Sequence, residues 1–154
     1  MNKVLLEIKD LRKEFVKSKS LFGKPVTVLH AVDGVSLSIL EGETLGLVGE
    51  SGCGKSTLGR MITRLCEPTG GQILLDGVDI THLKEREVHQ YRQDVQMIFQ
   101  DPYASLNPRM TIQQAISAPL DAFRAGTKQE RKDKTAGIIK QVGLTEEYRS
   151  EEHV

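Results

Sequence analysis

Net charge, a cysteine framework and long apolar runs are all missing from this chain, and each absence removes a class of function. Lys and Arg number 21 and Asp and Glu also number 21, so bulk electrostatics gives no reason to expect a nucleic-acid or membrane-surface partner. The densest charged stretch, Lys128 to Lys134, mixes both signs and reads as a solvated helix face. Cys53 and Cys66 do not form the pattern of a disulfide framework or a metal site. Cys53 reads as a small filler at a loop position. No apolar stretch approaches the ~18 residues that a membrane-spanning helix needs. Glu7, Lys9 and Asp10 interrupt the N-terminus too early for a signal peptide. Internal repeats and low-complexity linkers are absent as well. The expectation is a soluble, cytosolic protein, and 154 residues suffice for one domain with a real core.

What is present is a glycine loop. Gly49-Glu50-Ser51-Gly52-Cys53-Gly54-Lys55-Ser56-Thr57 satisfies G-x-x-x-x-G-K-[ST], the phosphate-binding pattern of nucleoside-triphosphatases. Before it, Thr44-Leu45-Gly46-Leu47-Val48 is a short apolar run that predicts a buried parallel strand. After it, Leu58, Met61, Ile62 and Leu65 recur at the spacing of one helix face. Strand, glycine loop and helix is the context in which this pattern binds phosphate.

The residue types fit that chemistry. Glycines at 49, 52 and 54 open backbone conformations closed to other residues and leave no Cβ in a phosphate's way. Backbone N–H groups from about Gly52 to Ser56 can then converge on a phosphate at the positive end of a helix dipole. Lys55 supplies charge toward the β- and γ-phosphates, the Ser56 hydroxyl is placed to ligate Mg²⁺, and Thr57 is expected to reach the α-phosphate. Glycine makes up about 7% of average sequence, so the pattern arises by accident in roughly one chain of this length in a few hundred.

The rest of the chain reads as a mixture of strands and helices. Val4 to Ile8 predicts a first strand, and Val26 to Ile39 one or two more around Asp33-Gly34. Val16 to Pro25 predicts a loop or hairpin extension, and Glu41-Gly42-Glu43 a turn. Glu67 to Gly71 ends the helix after the glycine loop. Ile73 to Leu75 and Val78 to Ile80 flank Asp76-Gly77, a two-residue hairpin signal. A short helix over Thr81 to Arg92 and an apolar strand over Val95 to Phe99 follow. Thr127 and Glu130 form a capping box for a helix carrying Ile138, Ile139 and Val142, which Gly143 ends.

Val35-Ser36-Leu37 and the run from Glu41 to Val48 lead straight into the glycine loop, and together they resemble the ATP-binding subunit of ABC transporters. Val95-Gln96-Met97-Ile98-Phe99-Gln100-Asp101-Pro102 is similar to that family's Q-loop strand. Tyr103-Ala104-Ser105-Leu106-Asn107-Pro108-Arg109-Met110-Thr111 narrows the resemblance to subunits that energise oligopeptide and dipeptide importers, with nickel and glutathione importers similar there. It covers nearly the whole chain. The resemblance implies one partial nucleotide-binding domain over 1–154, an α/β P-loop fold with N-terminal antiparallel β-elements and the P-loop core over 1–100 and the start of a helical subdomain over 101–154. It implies ATP and Mg²⁺ as ligands, Gln100 as a metal- and water-positioning amide, and Phe15 as the adenine-stacking aromatic, with Phe22 its rival. It further implies a second ATP-binding subunit and membrane-spanning permease subunits as partners, and a place on the inner face of the cell membrane.

Several family motifs have only look-alikes within these residues. Thr69-Gly70-Gly71-Gln72 mimics the signature that opens a helix beyond the Q-loop, but it precedes the Q-loop and leads into a strand. Ile73-Leu74-Leu75-Asp76 mimics the Walker B strand, yet Gly77 stands where the catalytic glutamate belongs. His30, His82, His89 and His153 do not follow a Walker B strand, so none fits the family's switch histidine. Arg149 to Val154 departs from the family pattern, and the expectation is a truncated or frameshifted reading frame. Two functions therefore compete: a transport ATPase subunit, and a hydrolysis-incompetent ATP-binding fragment. A GTPase switch is disfavoured because no Asn-Lys-x-Asp motif occurs, and a DNA-repair ATPase by Leu106-Asn107-Pro108-Arg109.

Overall fold

Period-2 alternation places Leu6 and Ile8 on one face of the first strand, and one extra residue then decides where Leu11 goes. The computed structural model describes residues 3–19, 25–101 and 105–144. β1 (Val4–Lys19) and β2 (Pro25–Leu40) pair antiparallel along their length. β1 spends an additional residue between the Ile8–Leu37 and Leu11–Val35 pairs, and β2 spends one between Val35 and Val32. The bulge residue Asp10 is left-handed at φ 47°, and Gly34 lies at φ 68°. Each bulge shifts the alternation by one, which brings Leu11 and Val32 to the same face as Leu6 and Ile8. Arg12 stitches the two bulges, donating to Asp33 at 2.8 Å and Asp10 at 2.9 Å. Asp33-Gly34, expected as a turn, is thus a bulge inside one continuous strand.

β3 (Gly70–Leu75) adds antiparallel to the other edge of β1, and β4 (Val78–Asp79) returns beside it, giving the order β2-β1-β3-β4. The Asp76-Gly77 turn has positive φ at both positions, 50° and 78°, which is the backbone a two-residue hairpin requires. Gly71 is fixed by contact: a Cβ there would lie 2.3 Å from the Asp10 carbonyl oxygen. α1 (Lys55–Ile62) and α2 (Glu85–Asp94) cover the sheet. Leu58 and Met61 of α1 join Leu6, Ile8, Leu11, Val32, Ile73, Ile80 and Tyr91 in the core. The Tyr91 hydroxyl donates to the Ile62 carbonyl at 2.6 Å, and burial pushes its pKa up to about 12.

The chain divides into two compact units, 1–97 and 98–154. The second contains α3 (Ile112–Ala122) and α4 (Lys128–Gln141). Both helices open with capping boxes, Thr111 with Gln114 and Thr127 with Glu130. The Glu130 carboxylate accepts the Thr127 N–H at 2.6 Å, which holds it below the usual carboxylate pKa. Arg131 ties α4 to α3 through Asp121 at 2.6 Å. α3 had no counterpart in the sequence reading.

Two expected strands are not formed. Residues 44–48 and 95–99 enter no sheet ladder, and the four strands among the described residues are all antiparallel. A parallel strand cannot satisfy its backbone alone, and no neighbour for these runs occurs among the described residues. Val95 packs against the core, but Val48 is 95% and Ile98 97% exposed. A polypeptide of these 154 residues is therefore expected to self-associate through the apolar runs. Size-exclusion chromatography with light scattering checks this; a monodisperse monomer at tens of micromolar, melting in one sharp transition, contradicts it.

Candidate functional site

The glycine loop is held by a contact that no side chain could make. Gly54 caps α1 in a left-handed conformation at φ 96° and ψ 0°. A Cβ built on it would fall 2.1 Å from the Ala31 carbonyl oxygen of β2, so only glycine fits. The loop is thereby seated on the long hairpin at the point where the helix begins. Its first helical hydrogen bond runs from Leu58 N–H to the Gly54 carbonyl at 2.9 Å. The N–H groups ahead of Leu58 have no acceptor inside the helix. No acidic residue stands in the first turn to neutralise the positive end of the helix dipole.

Lys55 folds back over the loop. Its Nζ donates to the carbonyls of Gly49 at 2.6 Å and Glu50 at 2.5 Å and lies 3.4 Å from Cys53 Sγ. A Cβ at Gly49 would meet Cys53 Sγ at 2.8 Å, a side-chain atom that rotation about χ1 can move aside. Gly52 is left-handed at φ 83°, and Ser51, Gly52 and Ser56 are exposed. A lysine ammonium on the loop and helix-start N–H groups without acceptors inside the helix are together a fit for phosphate. Among the described residues no group of three or more His, Cys, Asp or Glu could hold a metal ion. A divalent cation here fits only as a partner of bound phosphates, with the Ser56 hydroxyl as a protein ligand.

Phe15 lies on β1 opposite Leu29, 41% exposed, with Lys13 Nζ 5.0 Å from its ring centroid. Phe22 lies outside the described residues. Gln100 belongs to the second unit and is exposed. Sequence reasoning missed Ala31, the seat of the loop, because a backbone carbonyl contact leaves no signature in residue type. Met97 was missed likewise; its Cε comes 3.6 Å from a Cβ placed at Gly59.

A comparison with protein families matches residues 32–153 to the ABC transporter domain, which contains this loop. The chain belongs to the ABC transporter family. Among characterised relatives, it is 48% identical to the oligopeptide transport ATP-binding protein AppF of Bacillus subtilis over 141 residues, which is 91% of this chain and 43% of that protein. It is 40% identical to the dipeptide transport ATP-binding protein DppF of Escherichia coli over 144 residues, again 43% of the relative. The chain thus spans less than half the length of these relatives. Among solved structures, a dimeric post-hydrolysis state of the ATP-binding cassette MJ0796 bound to ADP and Pi matches with a TM-score of 0.76. That match has 25% identity and covers 96% of this chain and 61% of that cassette. The long β1–β2 hairpin, the glycine loop, α1 and the helical second unit are therefore the N-terminal part of an ABC cassette.

Proposed function

We propose that this cassette segment binds Mg-ATP and serves in an ATP-binding subunit that energises import of oligopeptides or dipeptides. The observation that carries the reading is the glycine loop locked on Ala31 with Lys55 poised above it. In this reading the Lys55 ammonium leaves the Gly49 and Glu50 carbonyls for the β- and γ-phosphates. Backbone N–H groups of Gly52, Cys53, Gly54 and Lys55 hold the β-phosphate, Thr57 meets the α-phosphate, and Glu50 and Ser51 shape the loop's mouth. Ser56 and Gln100 hold Mg²⁺, which when bound neutralises phosphate charge. Phe15 stacks on adenine. Relatives named as oligopeptide and dipeptide transport ATP-binding proteins support the cargo class. The partners are then a second ATP-binding subunit and membrane-spanning permeases, with the protein at the inner face of the membrane. A nickel or glutathione importer subunit is the neighbouring alternative. A dimeric, ADP-bound structural relative supports the subunit pairing.

Titration of a fluorescent ATP analogue against the chain and its Lys55→Ala variant tests the site. Loss of the cation is expected to weaken binding at least about tenfold, the scale of one charge-assisted contact. Equal affinity in the two proteins removes the assignment.

A further inference from the structure

An aromatic side chain on an exposed strand turns among its rotamers unless a neighbour fixes the ring. Phe15 stands on β1 and is 41% exposed. Period-2 alternation puts Lys13 on the same face of the strand, two residues earlier. The Lys13 ammonium lies 5.0 Å from the centroid of the Phe15 ring, within the range of a cation–π contact. The same Nζ donates to the Glu67 carbonyl at 2.6 Å, in the segment that follows α1. The cation is thus anchored on backbone while it faces the ring, and it leaves the ring accessible.

Stitching the chain together does not account for Lys13. The segment after α1 is already tied to β1 by Thr69. Its N–H donates to the Arg12 carbonyl at 2.9 Å, and its hydroxyl accepts the Glu14 N–H at 3.1 Å. Those two bonds fall on either side of Lys13 in sequence and hold the segment without it. What Lys13 adds is the contact with the ring.

The strand register places this pair beside the glycine loop. Lys13 pairs with Val32 and Phe15 with Leu29, so Ala31 falls between the two partners on β2. Ala31 is the residue whose carbonyl seats Gly54, and Val32 Cγ2 lies 3.5 Å from the same Cβ position. The stretch of hairpin that seats the loop is therefore the stretch that carries Phe15.

We infer that Lys13 is a positioning residue for base recognition: anchored on the Glu67 carbonyl, its ammonium holds the Phe15 ring in the orientation that stacks on the adenine of bound ATP. The inference rests on the reading of Phe15 as the stacking aromatic and adds the group that sets its ring. A ring fixed beforehand loses less rotamer freedom when the base arrives, and that saving appears as affinity. The effect belongs to the base alone, because the phosphates are held at the glycine loop.

Isothermal titration calorimetry of the chain with Mg-ATP and with magnesium tripolyphosphate, which carries no base, separates this role from a structural one. Phe15→Leu is expected to weaken ATP binding at least about fivefold and to leave tripolyphosphate binding unchanged. Lys13→Met is expected to weaken ATP binding about threefold, the scale of an exposed cation–π contact, again without effect on tripolyphosphate. Lys13→Arg keeps both charge and donor and is expected to retain ATP affinity to within a factor of about two. Lys13→Gln keeps a donor for the Glu67 carbonyl but loses the charge. It is expected to behave as Lys13→Met does, so the test survives if the methionine variant does not fold. In a Phe15→Leu background, Lys13→Met is expected to have no further effect on ATP, because it acts through the ring. Three results overturn the inference and leave the stacking reading in place: equal weakening of ATP and tripolyphosphate by Lys13→Met, unchanged ATP affinity in that variant, or the same threefold loss in the Phe15→Leu background. An ATP affinity that Phe15→Leu does not alter removes the stacking reading, and the inference falls with it.

Discussion

Gly54→Ala is expected to lose nucleotide binding and to melt far below the parent chain. The added Cβ would lie 2.1 Å from the Ala31 oxygen and 3.3 Å from its carbonyl carbon, both backbone atoms of β2. No rotamer change relieves such a contact, and φ of 96° is itself strained for an L side chain. Overpacking and backbone strain together cost about 4 kcal/mol, which corresponds to a drop on the order of 10 °C in Tm. Gly52→Ala is the control. Its φ is 83° but nothing stands within 4 Å of the new Cβ, so only the conformational cost of about 1 kcal/mol applies. Melting curves of the two variants side by side decide the matter. If Gly54→Ala melts within about 2 °C of Gly52→Ala, the loop is not seated on β2 as described.

A polypeptide of these 154 residues is expected to bind ATP without sustained turnover. Hydrolysis needs a group that positions or deprotonates the attacking water and charge that favours the transition state. The look-alike for the Walker B carboxylate fails on structure as well as on sequence. Asp76 is the first residue of the β3–β4 hairpin turn, left-handed at φ 50° and ion-paired to Lys3. In the proposed reading Lys55 and Ser56 would bind phosphates and metal, but neither would position or deprotonate the attacking water. Steady-state phosphate release by purified chain, with Lys55→Ala as the contamination control, checks this. Release at about one per second, the low end for working enzymes, that disappears in the variant would expose an unrecognised catalytic group. Glu50 in the loop and Asp101 beside Gln100 are then the first carboxylates to replace.

Local signals were legible wherever a feature closes within a few residues. The glycine loop and the helix after it, the Asp76-Gly77 hairpin, and the Thr127–Glu130 box with its Gly143 stop all stand where the residues put them. The Thr111–Gln114 box was equally available and was overlooked, and α3 went unseen with it. The end of α1 misled for a different reason. Leu65 fits the helical period, but the helix stops at Ile62 with Arg64, not glycine, in the left-handed turn. Periodicity alone cannot reveal a stop whose usual residue is absent.

The sequence by itself determined the chemistry of the loop, because phosphate recognition depends on residue types at fixed short spacing: three glycines, a lysine and a hydroxyl ahead of a helix. It also determined membership of the ABC family, through runs of residues that need no partner to be read. Tertiary structure decided the rest. The bulges at Asp10 and Asp33-Gly34 exist only as mismatches between paired strands, and they set which side chains reach the core. The exclusion of every residue but glycine at position 54 comes from a carbonyl more than twenty residues earlier in the chain. The runs at 44–48 and 95–99 carry strand-like sequence yet form no ladder. A strand is a relation between segments, and its hydrogen bonds belong to a neighbour that its own residues cannot supply.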